Sequence, residues 1–309
     1  DVRFAVEAEP GVLYVGTRRG IFEGRGGRFT RTLTLDSGFV SGIFKSPDGR
    51  WLLTTLMAPR NQFAVIVMAQ KQSDQWTEFR VASFSGQYPD IEPMFSPDGT
   101  RLFFASKRPH QGNDGSHWDI WSVSFSQNGQ FGQPSVLPAP INTPGDEFFP
   151  SVTEDGVIYF TSAREGSLGR EDIFRARPAA EGYQVENVGA GVNSGTWEFN
   201  AFVAPDESYL LFSSQGREDD HGGGDLYISY RDQRGEFAPA MNLGAGINSK
   251  QLDYCPFVMG DWLYFSSNRQ EPIAPSAPLS LREVRSRFNS PGNGLGDLYR
   301  VSRQLLVKP

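Results

Sequence analysis

The sequence predicts an all-β protein, a six-bladed β-propeller with four antiparallel strands in each blade. Three observations support this fold class. A hairpin motif recurs along the 309 residues, glycine (34) and proline (21) are frequent, and aromatic residues make up 13% of the chain. Short strands joined by Gly- and Pro-containing turns are typical of all-β folds, and a repeat of roughly 40–50 residues is typical of a propeller or solenoid.

The hairpin motif consists of a strand, a turn with Pro-Asp-Gly or Asp-Gly, and an apolar second strand. Its copies read FKSPDGRWLL (44–53), MFSPDGTRLFF (94–104), SVTEDGVIYF (151–160) and FVAPDESYLLF (202–212), with weaker copies FVMGDWLYF (257–265) and GVLYVGT (11–17). Proline presets φ for such a turn and glycine tolerates a positive φ. The turn aspartates are separated by 50, 57, 51 and 55 residues and are Asp48, Asp98, Asp155, Asp206 and Asp261.

A third strand follows each hairpin after a polar loop, as in DIWSVSF (119–125) and DLYISY (225–230), and a more variable fourth strand leads to the next copy. Four antiparallel strands per copy are typical of a propeller blade. We therefore expect one domain over residues 1–309, with blades at about 1–35, 36–88, 89–145, 146–196, 197–249 and 250–309. The first blade lacks its turn motif, so a five-bladed ring with an N-terminal appendage is the alternative.

Charge and cysteine content exclude several classes of function. The net charge of −7 repels phosphate backbones and anionic lipid, and no basic patch is visible, so we expect no nucleic-acid partner. A single cysteine, Cys255, excludes an intrachain disulfide and a cysteine-type zinc site. No apolar run approaches the roughly 18 residues that cross a bilayer, so we expect no membrane insertion.

Two stretches resemble a known repeat family. FSPDG…LFFAS (95–106) with DIW (119–121), and FSSNR (265–269) with GLGDLYRV (294–301), look like the PD40, or WD40-like, repeat of TolB-like β-propellers. The resemblance covers nearly the whole chain. It implies a periplasmic or secreted propeller, but it carries little about activity, because function resides in sites grafted onto folds. We also expect a monomer. The sequence contains no Gly-x-Ser-x-Gly nucleophile motif.

An arginine recurs at the end of the second strand and an aspartate at the start of the third. Adjacent antiparallel strands bring such residues together, and an Arg–carboxylate fork is a strong ion pair. Because the pair recurs from blade to blade, we expect structural clips rather than catalytic groups. The predicted pairs are Arg108 with Asp119, Arg164 with Asp172, Arg217 with Asp225, and Arg269 with Asp297.

A second recurring column is acidic. Glu147, Glu198 and Asp253 each lie five residues after an asparagine, and alignment on the turn aspartates adds Asp90, with Val40 and Arg3 in the remaining blades. This column lies where the innermost strand begins, so the carboxylates are expected to surround one mouth of the channel. Like charges there favour a cation or cationic ligand, and oxygen ligands suit Ca²⁺ or Mg²⁺. Asn200 and Tyr254 are neighbouring ligand candidates. In the alternative, each carboxylate caps its own loop.

Polar loops on the same face supply further candidates. His110, His117 and His221 all lie between second and third strands, and GREDDHGGGD (216–225) places Glu218 beside His221. A histidine beside carboxylates suits a metal ligand or a general base, and the catalytic candidates are Glu147, Glu198, Glu218 and His221. The alternative for these loops is a solvated polar surface. The insertion 270–296 contains SLREVRSRF (280–288), whose apolar residues have helical spacing. We expect this segment either to cover the channel mouth as a lid or to fill the surface between blades. Cys255 is expected to be a buried structural thiol.

We therefore expect a binding or scaffold propeller of the cell envelope that receives a peptide, protein or saccharide at the acidic mouth. The alternative is a metal-dependent hydrolase, lactonase or lyase in which Glu147, Glu198 and Asp253 hold a divalent cation at the same mouth. Apart from Ca²⁺ or Mg²⁺, we expect no cofactor.

Overall fold

The fold was determined as a computed structural model. It describes residues 2–9, 12–17, 20–25, 28–34, 39–58, 63–73, 75–259, 261–270, 279–287 and 297–306.

The described strands form separate antiparallel sheets in chain order, and in each the strand order follows the sequence. The first sheet contains β1 (Val2–Glu9), β2 (Val12–Thr17), β3 (Gly20–Arg25) and β4 (Arg28–Thr34), and the second contains β5 (Phe39–Lys45), β6 (Trp51–Met57), β7 (Ala64–Gln72), β8 (Gln75–Trp76) and β9 (Arg80–Val81). The third contains β10 (Asp90–Phe95), β11 (Arg101–Ser106), β12 (Asp119–Ser124) and β13 (Ser135–Val136), and the fourth β14 (Glu147–Val152), β15 (Ile158–Ser162), β16 (Asp172–Pro178) and β17 (Tyr183–Asn187). The fifth contains β18 (Trp197–Val203), β19 (Tyr209–Gln215), β20 (Asp225–Tyr230) and β21 (Met241–Asn242), and the last β22 (Asp253–Met259), β23 (Trp262–Ser267) and β24 (Asp297–Ser302).

The all-β propeller with four-stranded blades is confirmed, but the prediction of six such blades is wrong. Five sheets have the strands of a complete blade; in the second, the outer strand is interrupted, because β8 and β9 both pair with β7. The last sheet has three strands in the described residues. After β24 the chain forms a 3-10 helix, Arg303–Leu306, whose buried Leu306 packs with the core of the preceding sheet. The incomplete sheet is therefore the C-terminal one, whereas the five-bladed alternative expected it at the N-terminus.

The turns follow from the motif chemistry. Ser46 Oγ donates to Asp48 Oδ1 at 2.5 Å, and the amide of Gly49 donates to the carbonyl of Ser46 at 2.8 Å. Gly49 has a φ of +73°, a conformation that costs glycine little and other residues more. The same bonds recur around Asp98, where Ser96 donates to the carboxylate and the amide of Gly99 donates to the carbonyl of Ser96. The side chains of Asp48 and Asp98 therefore fix the hairpins that lead to the second strands of their sheets.

The core lies between successive sheets. One cluster joins Trp51 of β6 to Phe104 of β11, and another joins Tyr159 of β15 to Phe212 of β19. The first strand of each sheet contacts the first strand of the next, and β1 contacts both β5 and β24. The first strands are thus the innermost, and their N-terminal ends share one face. We call it the top face; its described parts include the loops 107–118, 163–171 and 215–224 and the connections 138–146, 189–197 and 244–252.

The innermost strands β10, β14, β18 and β22 each bend at a β-bulge. The bulge lies two residues after the acidic-column residue of the strand. The residues at this position are Glu92, Phe149, Asn200 and Cys255, and their φ values lie between +51° and +57°. Left-handed backbone at non-glycine residues costs free energy and persists only where the surrounding structure imposes it. The repeated bulge therefore defines the wall of the central channel, where Phe149 and Cys255 line a small apolar cavity.

The insertion 270–296 is described only at Gln270 and over 279–287. It contains helix α1 (Leu281–Arg287), which begins with a capping box: the amide of Glu283 donates to Ser280 Oγ at 3.3 Å, and the amide of Ser280 donates to Glu283 Oε2 at 2.7 Å. Leu281 is 65% exposed, so this residue does not pack onto the propeller. No described helix has the length and apolar character needed to span a membrane.

Candidate functional site

The recurring arginines pair with the acidic column instead of the third-strand aspartates. In each of four sheets, an Nη2 atom lies within 3.1 Å of a first-strand carboxylate oxygen. The pairs are Arg108–Asp90 (2.9 Å), Arg164–Glu147 (3.1 Å), Arg217–Glu198 (3.0 Å) and Arg269–Asp253 (2.9 Å). The arginines predicted as structural clips and the carboxylates predicted at the channel mouth therefore form one series of ion pairs. We call this series the Arg–carboxylate ladder.

Arg164 shows how each rung is built. Its guanidinium donates to the carbonyl oxygens of Pro140 and Ile141, which belong to the connection from the preceding sheet. It also lies over the rings of Phe160 and Phe174, 4.7 and 5.0 Å from their centroids. An arginine between aromatic faces gains cation–π attraction as well as its ion pair. Each rung thus joins one sheet to the connection that precedes it.

The column carboxylates are saturated with hydrogen bonds. Glu147 is 0% exposed and accepts the amide and hydroxyl of Thr143, at 2.8 and 2.7 Å, and the hydroxyl of Ser162 at 2.8 Å, besides Arg164. Burial raises the pKa of Glu147 and of Asp90, and the paired arginine opposes this shift. The carboxylate therefore caps its own loop, as the alternative expectation had it. It also has the cationic partner that the first expectation required, but this partner is an arginine of the same chain.

These residues do not fit a divalent cation. A Ca²⁺ or Mg²⁺ site needs several carboxylate or carbonyl oxygens free to turn toward the ion, whereas the oxygens of Glu147, Glu198 and Asp253 accept protein donors. Within the described parts of the chain, no group of three His, Cys, Asp or Glu side chains is arranged to hold a metal ion.

The third-strand aspartates organise the top loops instead. Asp172 accepts the amides of Leu168 and Gly169 at 2.7 and 3.1 Å, and the side-chain amide of Asn187 at 2.6 Å. Asp225 accepts the equivalent side-chain amide of Asn242 at 2.7 Å. These aspartates are 0% exposed. Each one fixes the start of its third strand, the end of the fourth and the loop between the second and third strands.

The asparagines before the column bind the third strand as a backbone segment would. Asn193 Oδ1 accepts the amide of Ile173 at 2.9 Å, and its Nδ2 donates to the carbonyl of Ile173 at 2.8 Å. Asn142 makes the same pair of bonds to Ile120, and Asn248 to Leu226. Asn193 thereby gives the buried amide of Ile173 its acceptor, and it is a second donor to a carbonyl that also accepts the amide of Val188.

The histidines bind loop aspartates. His221 Nδ1 lies 2.9 Å from Asp225 Oδ2, and His110 Nε2 lies 2.7 Å from Asp119 Oδ2, with His117 Nε2 at 3.9 Å from the same oxygen. Neither His221 nor Glu218 contacts Glu147 or Glu198 in the described structure. The candidate catalytic groups are therefore not brought together.

Other predicted residues lie elsewhere. Asn200 and Cys255 occupy equivalent channel bulges, and burial together with the charge of Glu92 raises the pKa of the Cys255 thiol. Tyr254 adjoins Cys255 and is half-buried. The side chains of Arg3 and Asp297 lie outside the described residues, although Asp297 pairs through its backbone with Ser267.

A groove on the top face lies beside β14–β17. Its volume is about 670 Å³, and it is open to solvent. The lining comes from the connection 138–146, the loop 163–171, and strands β16 and β17: Pro140, Thr143, Pro144, Gly145, Ala163, Arg164, Glu165, Gly166, Phe174, Val185, Glu186 and Asn187. The size is typical of ligand sites. The lining is largely apolar, and Glu165 and Ala163 are exposed on its rim.

Comparison with solved structures defines the fold. The chain is similar to a putative TolB from Agrobacterium tumefaciens at 19% identity and a TM-score of 0.53, over 79% of this chain and 80% of that one. The chain has a TolB-like β-propeller fold. A puromycin-hydrolyzing peptidase of Mycobacterium tuberculosis matches at 14% identity and a TM-score of 0.53, over 95% of this chain and 48% of that one, so the chain spans about half its length. The PQQ-bound aldose sugar dehydrogenase of Streptomyces coelicolor matches at 14% identity and a TM-score of 0.51, over 86% and 87%.

These structural similarities establish a TolB-like propeller fold for the chain, but at such low sequence identity they do not establish an activity. No protein-family model matches the sequence, and no curated protein matches it significantly.

The repeat pattern did not predict the groove, but one connection in the sequence departs from the repeat at this place. The connections that lead to β18 and β22 begin GAGVNS (189–194) and GAGINS (244–249), whereas the one that leads to β14 reads PAPINTPGD (138–146). Proline fixes φ and removes a backbone donor, so this connection is stiffer than the others. A departure from the repeat, rather than the repeat itself, marked the groove.

Proposed function

We propose that this TolB-like propeller is a cell-envelope or secreted binding protein, and that it receives a segment of peptide or protein in the top-face groove. The observation that carries the proposal is the groove itself. It is preformed, and its walls are held by Arg164, which binds the carbonyls of Pro140 and Ile141 on one side and Glu147 on the other.

An extended peptide suits the groove better than a saccharide. Val185, Glu186 and Asn187 belong to β17, which is the last strand of its sheet, so the outer side of its backbone pairs with no described strand. Exposed strand edges bind peptides by adding a strand. Pro140, Pro144 and Phe174 supply apolar contact area, whereas the groove wall offers no exposed tryptophan or tyrosine for a sugar ring.

A metal-dependent reaction at the channel mouth is the less favoured alternative. It requires Glu147, Glu198 and Asp253 to exchange their arginine partners for a cation. Breaking a buried, hydrogen-bonded ion pair costs several kcal/mol. We therefore assign those carboxylates a role in stabilising the fold.

The test uses a random-peptide phage library panned on the immobilised full chain. Selected clones are then measured by fluorescence polarisation against the chain and against Ala163→Trp, in which the exposed rim residue is replaced by an indole that fills the groove. We expect binding to weaken by a factor of about 10 or more. The matched control is Gln215→Trp, an exposed residue at the equivalent position of β19.

Clones that bind Ala163→Trp as tightly as the unmodified chain, with Gln215→Trp also unchanged, would contradict the groove as the binding site. Circular dichroism of both variants verifies that they fold, so that a loss of binding is attributable to the groove.

A further inference from the structure

Three carboxylates near the groove have no ion-pair partner in the described structure. Glu165 lines the groove, Asp146 directly follows the lining residue Gly145, and Glu171 ends the loop 163–171 that supplies Glu165. Burial raises the pKa of Glu171, and the charge of Asp146 adds to that shift. Asp146 accepts one hydrogen bond, from the amide of Trp118 at 2.8 Å. The loop and the connection that line the groove therefore carry negative charge that no ion pair in the described residues neutralises.

The other charged groups of the groove are paired. Arg164 binds Glu147, and Glu186 binds Arg175 at 2.7 Å and Arg177 at 3.5 Å. Arg170 lies in the same loop as Glu165 and Glu171, and its guanidinium is 4.3 Å from the ring centroid of Trp197. With three free carboxylates and one arginine held on an aromatic ring, the excess charge here is negative.

Comparison between sheets shows that this charge is not part of the fold pattern. The residues equivalent to Asp146, directly before the first-strand carboxylate, are Pro89, Trp197 and Leu252; those equivalent to Glu171, directly before the third-strand aspartate, are Trp118, Gly224 and Gly296. All of these are uncharged. Since β10, β12, β18, β20 and β22 form without a carboxylate at this position, Asp146 and Glu171 are not needed to build it.

We infer that the segment bound in the groove is cationic, with a lysine or arginine side chain placed against Asp146, Glu171 and Glu165. This inference rests on the proposed function and specifies its partner. A basic side chain placed there offsets the negative charge of these unpaired carboxylates. The half-buried ring of Trp197 next to Glu171 already accepts one guanidinium, which shows that this surface suits cations.

The experiment uses the same panned clones and adds a charge test. Clones whose binding is lost in Ala163→Trp are expected to be enriched in Lys and Arg, and their affinity is expected to fall at high salt. The variant Asp146→Asn/Glu171→Gln keeps the oxygen that accepts the Trp118 amide and should bind them about tenfold more weakly. The matched control is Glu154→Gln/Glu181→Gln, which removes two exposed carboxylates of the same sheet on the opposite face.

The outcomes separate the two proposals. Groove-dependent clones that are neutral or acidic, or that bind Asp146→Asn/Glu171→Gln with full affinity, overturn the cationic partner and leave the groove in place. If no clone depends on Ala163, both proposals fail. Selective binding of neutral oligosaccharides in the same polarisation assay, lost in Ala163→Trp, would replace the peptide by a sugar.

Discussion

Arg217 donates from Nε and Nη2 to the same oxygen of Glu198, at 3.2 and 3.0 Å. The guanidinium also donates to the carbonyl of Val192, and it lies 4.7 Å from the ring centroid of Tyr227. One side chain thus connects the first strand, the third strand and the connection from the preceding sheet. The Arg–carboxylate ladder repeats this junction in the sheets that begin with β10, β14 and β22, so four sheets are each attached to the preceding connection through a buried carboxylate.

Replacing Arg217 by alanine should therefore destabilise the protein strongly. The carboxylate of Glu198 is 0% exposed and would be left without a cation, a change that costs about 3–5 kcal/mol. Arg217→Lys should lose less, because it keeps the charge but not the fork or the planar stack. Urea unfolding midpoints check this, with the exposed Arg234→Ala as a control that should change stability by less than about 0.5 kcal/mol. Equal midpoints for Arg217→Ala and Arg234→Ala would rule out a structural rung.

The double variant Glu147→Gln/Glu198→Gln should lower stability rather than act only on binding. Each glutamine keeps hydrogen-bonding capacity but leaves a buried arginine without its counterion, at about 1–3 kcal/mol per site. Glu154→Gln/Glu218→Gln makes the same change in net charge at two exposed residues outside the groove and should unfold at nearly the unmodified urea concentration. A double variant of the ladder with unaltered stability and lost ligand binding would restore the channel mouth as the site.

Both recurring columns were visible in the sequence, but their pairing was not. Ser162 lies in register between Glu147 on one side and Asp172 on the other, so strand order alone permits Arg164 to reach either carboxylate. The loop decides between them, because its amides at Leu168 and Gly169 already satisfy Asp172. Loop backbone geometry is not encoded in residue spacing, and the prediction chose the wrong partner for that reason.

The strands were predictable because turn motifs fix their own hairpins through local bonds, as those of Asp48, Asp98 and Asp206 do. The number of complete blades was not, because the fourth strand has no motif of its own. In the last sheet the chain after Ser302 forms a 3-10 helix with Leu306 in the core. The groove was also outside the reach of a repeat argument, since it arises where Pro140 and Pro144 depart from the pattern.

Gly129 and Gly182 form a matched pair for testing the contact between the second and third sheets. Both have a left-handed φ, +82° and +80°, but a Cβ on Gly129 would lie 2.1 Å from the ring of Trp51, whereas one on Gly182 would meet nothing within 4 Å. Gly182→Ala should cost about 1–2 kcal/mol from backbone conformation alone. Gly129→Ala should cost about 1–3 kcal/mol more, because the indole must move out of a packed core. Thermal denaturation of the two variants measures the difference, and identical melting temperatures would show that Trp51 yields without cost.

Glu92 should make stability fall as pH rises. Its carboxyl lies at a channel bulge and accepts the amide of Phe149 at 2.7 Å, and burial raises its pKa from 4.5 to about 7. Because the folded state holds this proton more tightly than the unfolded chain, stability from Glu92 is fully present below about pH 4.5 and decreases until about pH 7. A shift of this size corresponds to about 3 kcal/mol. Glu92→Gln keeps an acceptor for Phe149 and cannot ionise, so it should be more stable than the unmodified chain at pH 8 and nearly equal at pH 4.5. Urea unfolding across this range checks the slope, and the exposed Glu154→Gln should leave it unchanged. A slope that persists in Glu92→Gln would assign the proton to another buried group, for which Asp90 and Glu147, whose pKa values burial also raises, are the candidates.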